Sequence, residues 1–85
     1  MSDTILDDVR RIAGDVLGVP FDQVTAASSR DTIPSWDSLA HVNLVLALEQ
    51  RFGVLFLPEE MMEMLNIDLV SMILSEKLAQ KAAGG

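Results

Sequence analysis

The sequence predicts an all-α bundle of three longer helices and one short helix, with a long first loop. Three observations carry this. Apolar residues recur at helical spacing in three segments. Each segment is bounded by residues that start or stop helices. The one strand-like run, Val54 to Leu57, has no partner strand anywhere in the 85 residues, so it reads as a buried extended link.

In the first segment Ile5, Val9, Ile12, Ala13, Val16 and Leu17 mark one face of a helix. Asp3 or Thr4 can cap its start, Asp7 and Asp8 suit the positive end of its dipole, and Gly18 and Pro20 stop it. The helix is placed at about 4–17. Residues 18–36 are rich in turn and cap residues, a long connection for a small domain. Val19, Phe21, Val24, Ile33 and Trp36 punctuate it and are expected to pin it to the helices, and residues 21–24 suit a short helical turn.

The second helix is expected over 38–52, with Leu44, Val45, Leu48 and Phe52 on one stripe. Asp37 precedes it as a natural cap, and Gly53 follows it as a residue suited to the left-handed conformation. Pro58-Glu59-Glu60 opens the short helix, with proline in the first turn and acids at the positive end of the dipole. Met61, Met62, Met64 and Leu65 supply its apolar surface. Asn66 can cap a last helix at about 67–80, whose inner face is Ile67, Val70, Ile73, Leu74 and Leu78, with Lys77 and Lys81 near the end that favours cations. The chain reads as one domain over 1–85, ordered over about 4–80, with a frayed tail at 82–85.

Composition narrows the function. Thirteen acids against six Lys and Arg give a net charge of −7, which argues against nucleic acid and against electrostatic docking on anionic lipid. It favours partners with basic patches. The absence of cysteine excludes disulfides and thiolate metal sites, and a single histidine cannot build a histidine-rich zinc site; no metal is expected. No apolar run is long enough for a membrane span. The N-terminal residues lack the pattern of a signal peptide, so a cytoplasmic location is expected; a monomer is expected as well.

The most informative stretch is Pro34-Ser35-Trp36-Asp37-Ser38-Leu39. An anion attached to Ser38 would meet unpaired backbone N–H groups and the positive end of a helix dipole. Capping alone also explains a serine and an aspartate at such a place. Ser38, His41 and Asp37 are close enough in sequence to suggest a hydrolase triad, but no G-x-S-x-G elbow is present. His41 is expected to face solvent or a partner, and Trp36 to pack the long loop, with contact to a prosthetic arm or modifying enzyme as the other reading.

The surrounding pattern adds to this. D-S-L opens a helix that reads Ala47-Leu48-Glu49-Gln50-Arg51-Phe52-Gly53-Val54 at its end, and Pro58-Glu59-Glu60 follows. Over about residues 4–80 the chain resembles the acyl carrier protein family. The W-D-S-L form, with His41 and Asn43, is similar to stand-alone carriers of specialised pathways. The resemblance implies that Ser38 carries 4′-phosphopantetheine through a phosphodiester. A phosphopantetheinyl transferase would attach it from coenzyme A, and its thiol would hold acyl groups as thioesters. Asp37, Leu39 and Trp36 then fall at the recognition motif.

The resemblance also makes the second and short helices the docking surface for acyl-activating or acyl-transferring enzymes, through His41, Val42, Glu49, Glu59, Glu60 and Glu63. Residues 37–68 hold six acids and one base, and the acids concentrate on the short helix. The methionines are ordinary core filler on one reading and a soft wall on the other. If an acyl chain is sheltered, it is expected between the second and short helices, near Val45, Leu48, Met62 and Leu65. An aminoacyl or peptidyl carrier, or a helical interaction module never modified at Ser38, are the alternatives.

Overall fold

Four α-helices follow one another along the chain: α1 Ser2–Leu17, α2 Ser38–Phe52, α3 Pro58–Glu63 and α4 Ile67–Gly84. A single 3₁₀ turn, Phe21–Gln23, interrupts the long loop between α1 and α2. The structure, a computed structural model, describes residues 2–84 and the side chains of residues 5–82. Among the described residues there is no strand, and the only bridge pairs Ser29 with Asn66. The run from 54 to 57 is an extended link, as its isolation in the sequence implies.

Helix α1 packs against α2 and α4. Val9, Ala13 and Leu17 from α1, Leu44, Val45 and Leu48 from α2, and Ile67, Val70 and Leu74 from α4 fill the core between them. Removing such side chains from water supplies about 1.5–3 kcal/mol for each large aliphatic group, and this holds the bundle. Helix α3 buries none of its own residues; Met64, just past its end, is the residue that anchors it in the core.

The helix ends follow the sequence signals in part. Gly18 and Gly53 both adopt the left-handed conformation, with φ of 70° and 66°, and so end α1 and α2 without the Cβ clash of other residues. Asn66 Oδ1 accepts the Leu69 N–H at 2.8 Å and caps α4. Helix α1 begins at Ser2 rather than at 4, so Asp3 and Thr4 lie inside its first turn; their capping side chains fall outside the described ones. Asp7 sits a turn further in and pairs with Arg10 at 3.3 Å. Helix α4 continues to Gly84, past the predicted end at 80. The alanines and lysine after Leu78 favour helix even where packing has ended. Of the tail at 82–85, Gly85 lies outside the described residues.

The lysines near the end of α4 serve other helices. Lys77 pairs with Glu60 of α3 at 2.8 Å. Lys81 Nζ donates to the carbonyls of Phe52 and Gly53 at 3.3 and 3.0 Å, closing the end of α2.

The long loop is stitched to every longer helix. Ser35 Oγ donates to the Leu17 carbonyl at the end of α1, at 2.7 Å. The Ala26 and Ser28 carbonyls accept the Asp68 and Ile67 N–H groups at the start of α4, both at 2.9 Å. Val24, Ile33 and Trp36 are buried, as expected of pinning residues. Phe21 is not: it stays partly exposed, and Arg10 and Arg11 lie over its ring, 4.1 and 5.0 Å from the centroid. It is held by cation–π contact rather than by burial.

Candidate functional site

The start of α2 is built by Asp37. Its carboxylate accepts the Ala40 N–H at 2.8 Å, and its carbonyl accepts the His41 N–H at 2.9 Å. Ser38 is the first helical residue and is exposed. Its own N–H and that of Leu39 have no helical carbonyl to meet, because the chain before them is not helical. The Ser38 hydroxyl therefore sits in solvent beside unpaired donors, at the positive end of a 15-residue helix. An anionic phosphodiester on that oxygen fits this environment, since the only nearby carboxylate of the motif is already engaged as the cap.

Leu39 and Val42 flank Ser38 as exposed apolar side chains, 71% and 42% accessible. Trp36 turns the other way and is buried, packing the loop.

His41 corrects the expectation that it faces solvent or a partner. It is buried, because it lies one turn before Leu44 and Val45 on the stripe that also holds Leu48, at positions 41, 44, 45 and 48. That spacing was the signal; the polar identity of the residue hid it. Its Nδ1 accepts the Trp36 indole N–H at 3.0 Å, and its Nε2 is 2.8 Å from the Met61 carbonyl. Both ring nitrogens are thus occupied away from Ser38, and no hydrolase triad forms.

Two predicted docking acids are committed inside the molecule. The Glu49 carboxylate accepts the Phe56 N–H at 2.9 Å and so fixes the link after α2. Glu60 accepts the Leu57 N–H at 2.7 Å and pairs with Lys77. The backbone donor at Leu57, with Lys77 second, holds its carboxyl below the usual carboxylate range. Glu59 and Glu63 remain exposed on α3.

A cavity of about 700 Å³ lies beside α3. The long loop contributes Ser29, Arg30 and Asp31; α3 and its exit contribute Pro58, Met61, Met62, Met64 and Leu65; α2 contributes only His41. Of the residues expected to shelter an acyl chain, Met62 and Leu65 line this cavity. Val45 and Leu48 are not: they are buried in the helical core and do not line the cavity. The loop folds over α3 and moves the opening away from the interior face of α2. Met61, Met64 and Pro58, with Ser29, Arg30 and Asp31, are the lining residues that the sequence left out of the site. Among the described residues no group of three or more His, Asp or Glu side chains could hold a metal ion, and no helix is long and apolar enough to cross a membrane.

A helical bundle with an exposed serine at the start of its second long helix is the architecture of a carrier domain. No protein-family model matches the chain. The acyl carrier protein of Petrotoga mobilis is 36% identical to it over 76 residues, covering 89% of this chain and 89% of the relative. The solution structure of holo acyl carrier protein from Geobacter metallireducens matches with a TM-score of 0.84 at 29% identity, covering 94% of this chain and 92% of that one. The chain belongs to the acyl carrier protein family. It is a carrier and not an enzyme.

Proposed function

We propose that the chain carries 4′-phosphopantetheine on Ser38 Oγ and delivers acyl groups to partner enzymes of a lipid, polyketide or other specialised biosynthetic pathway. The observation that supports this most is the exposed Ser38 hydroxyl beside the Asp37 cap, with unpaired N–H groups at the helix start. The arm supplies the thiol that holds acyl groups as thioesters, a group the cysteine-free chain lacks. The protein's own residues present the attachment point, keep its surroundings exposed and leave Leu39, Val42, Glu59 and Glu63 for partner contact. The cytoplasm is the proposed location. The specialised pathway rests on the W-D-S-L form and on the acids lying on α3 rather than along α2.

The test is intact-mass analysis after incubation with coenzyme A, Mg²⁺ and a promiscuous phosphopantetheinyl transferase. One added arm is expected on the natural chain and none on Ser38→Ala. No gain on the natural chain would leave an unmodified helical interaction module as the function; a gain that survives in Ser38→Ala would move the attachment elsewhere.

A further inference from the structure

The histidine buried between Trp36 and α3 has a fixed chemical state. A ring nitrogen that accepts a hydrogen bond carries no proton, so Nδ1, which accepts from the Trp36 indole, is bare. The Met61 carbonyl can only accept, so Nε2 must carry the proton and donate to it. Only the neutral Nε2–H form of His41 makes both bonds. Through that one ring the loop, α2 and α3 are tied together.

Helix α3 needs such a tie. It has six residues and buries none of them. Its attachments include Met64 in the core, the Met61 side chain packed against it, the Glu60–Lys77 pair and the His41–Met61 bond. It is also the wall of the 700 Å³ cavity, which His41 itself lines.

We propose that His41 is a positioning residue that, in its neutral form, holds the loop at Trp36 against α2 beside the cavity, and that protonation of its ring releases the loop. A proton on Nδ1 sets two donors against each other, the ring N–H and the indole N–H of buried Trp36. The Nε2–H bond to the Met61 carbonyl survives the added proton, so it is the Trp36 side of the ring that must open to satisfy the two donors. Histidine is the residue whose ordinary titration falls within the physiological range. Charged groups on the elements around it include Asp37 at the cap of α2, Arg30 and Asp31 across the cavity, Glu59, Glu60 and Glu63 on α3, and Lys77 on α4.

The test is a nuclear magnetic resonance titration of the unmodified chain from about pH 8 to pH 5, a range that brackets ordinary histidine. Its result does not depend on the reading of Ser38. At the upper end the ring ¹⁵N signals should show a bare Nδ1. On descent the Trp36 indole N–H and the methyl signals of Met61, Met62 and Met64 should move with one midpoint, that of the His41 ring. His41→Gln offers one acceptor and one donor but does not titrate, so its Trp36 and methionine signals should stay flat. Four results would each overturn the proposal: a protonated Nδ1 at pH 8, no titration of the ring down to pH 5, a titrating ring with stationary Trp36 and methionine signals, or a pH response in His41→Gln that matches the natural chain.

Discussion

The two ends of α2 are closed in opposite ways. At the N-terminal end a neighbour in sequence, Asp37, satisfies one N–H through its side chain and leaves others facing solvent beside Ser38. At the C-terminal end the fold takes up the Glu49, Phe52 and Gly53 carbonyls. Gly53 turns the chain back, its N–H bonds to the Glu49 carbonyl at 2.8 Å, and Lys81 reaches from 28 residues away to take the Gly53 carbonyl. One end is finished by the fold; the other is left half-finished, with its donors and positive field available to an anion. The difference separates the part of the helix that holds the bundle from the part that meets other molecules.

Breaking the closed end should have the largest effect. Gly53→Ala places a Cβ in a left-handed residue and 2.7 Å from Lys81 Nζ. A loss of about 1–2 kcal/mol is expected, read by urea denaturation. An unchanged midpoint would show that the turn at Gly53 does not set the end of α2. At the open end Asp37→Ala should cost about 1 kcal/mol in thermal unfolding, the ordinary worth of a side-chain cap. Lys81→Met is expected to cost about 0.3–1 kcal/mol, since it removes a cation from a helix C-terminus. That difference should shrink in high salt, because the contact is exposed; a salt-independent difference would point to packing by the lysine stem.

The smallest effect belongs to Glu60 and is read through pH. Its carboxyl is held low when folded, so it contributes stability above the ordinary carboxylate range. That contribution fades as pH falls from there through the folded value. The natural chain should therefore lose more stability than Lys77→Met between neutral pH and about pH 3. Equal losses would mean that the Leu57 N–H alone governs the group.

The helices and the motif at Ser38 were legible because their signals are local. Spacing at 9, 13 and 17 or at 44, 45 and 48 states which side is buried, and Asp37, Gly53 and Asn66 act on bonds three or four residues away. What escaped depends on remote partners. Lys81 finds α2 only after the bundle closes. The cavity is set by how residues 29–31 fold over α3, which periodicity does not describe. His41 was misread for a different reason. Its position on the stripe was visible, but the two partners that make an imidazole tolerable in a core, the Trp36 indole and the Met61 carbonyl, were not.

The carbonyls of Ala26 and Ser28 that receive the first N–H groups of α4 carry a consequence in time. A chain made from its N-terminus has the loop, Trp36, Asp37 and Ser38 in hand well before residues 66–68 exist. Until those residues arrive, the loop lacks two of the donors that fix it, and the cap beside Ser38 hangs from a segment tied to α1 and to His41 alone. The segment that presents the serine is thus completed by α4, the latest of these four helices to be synthesised.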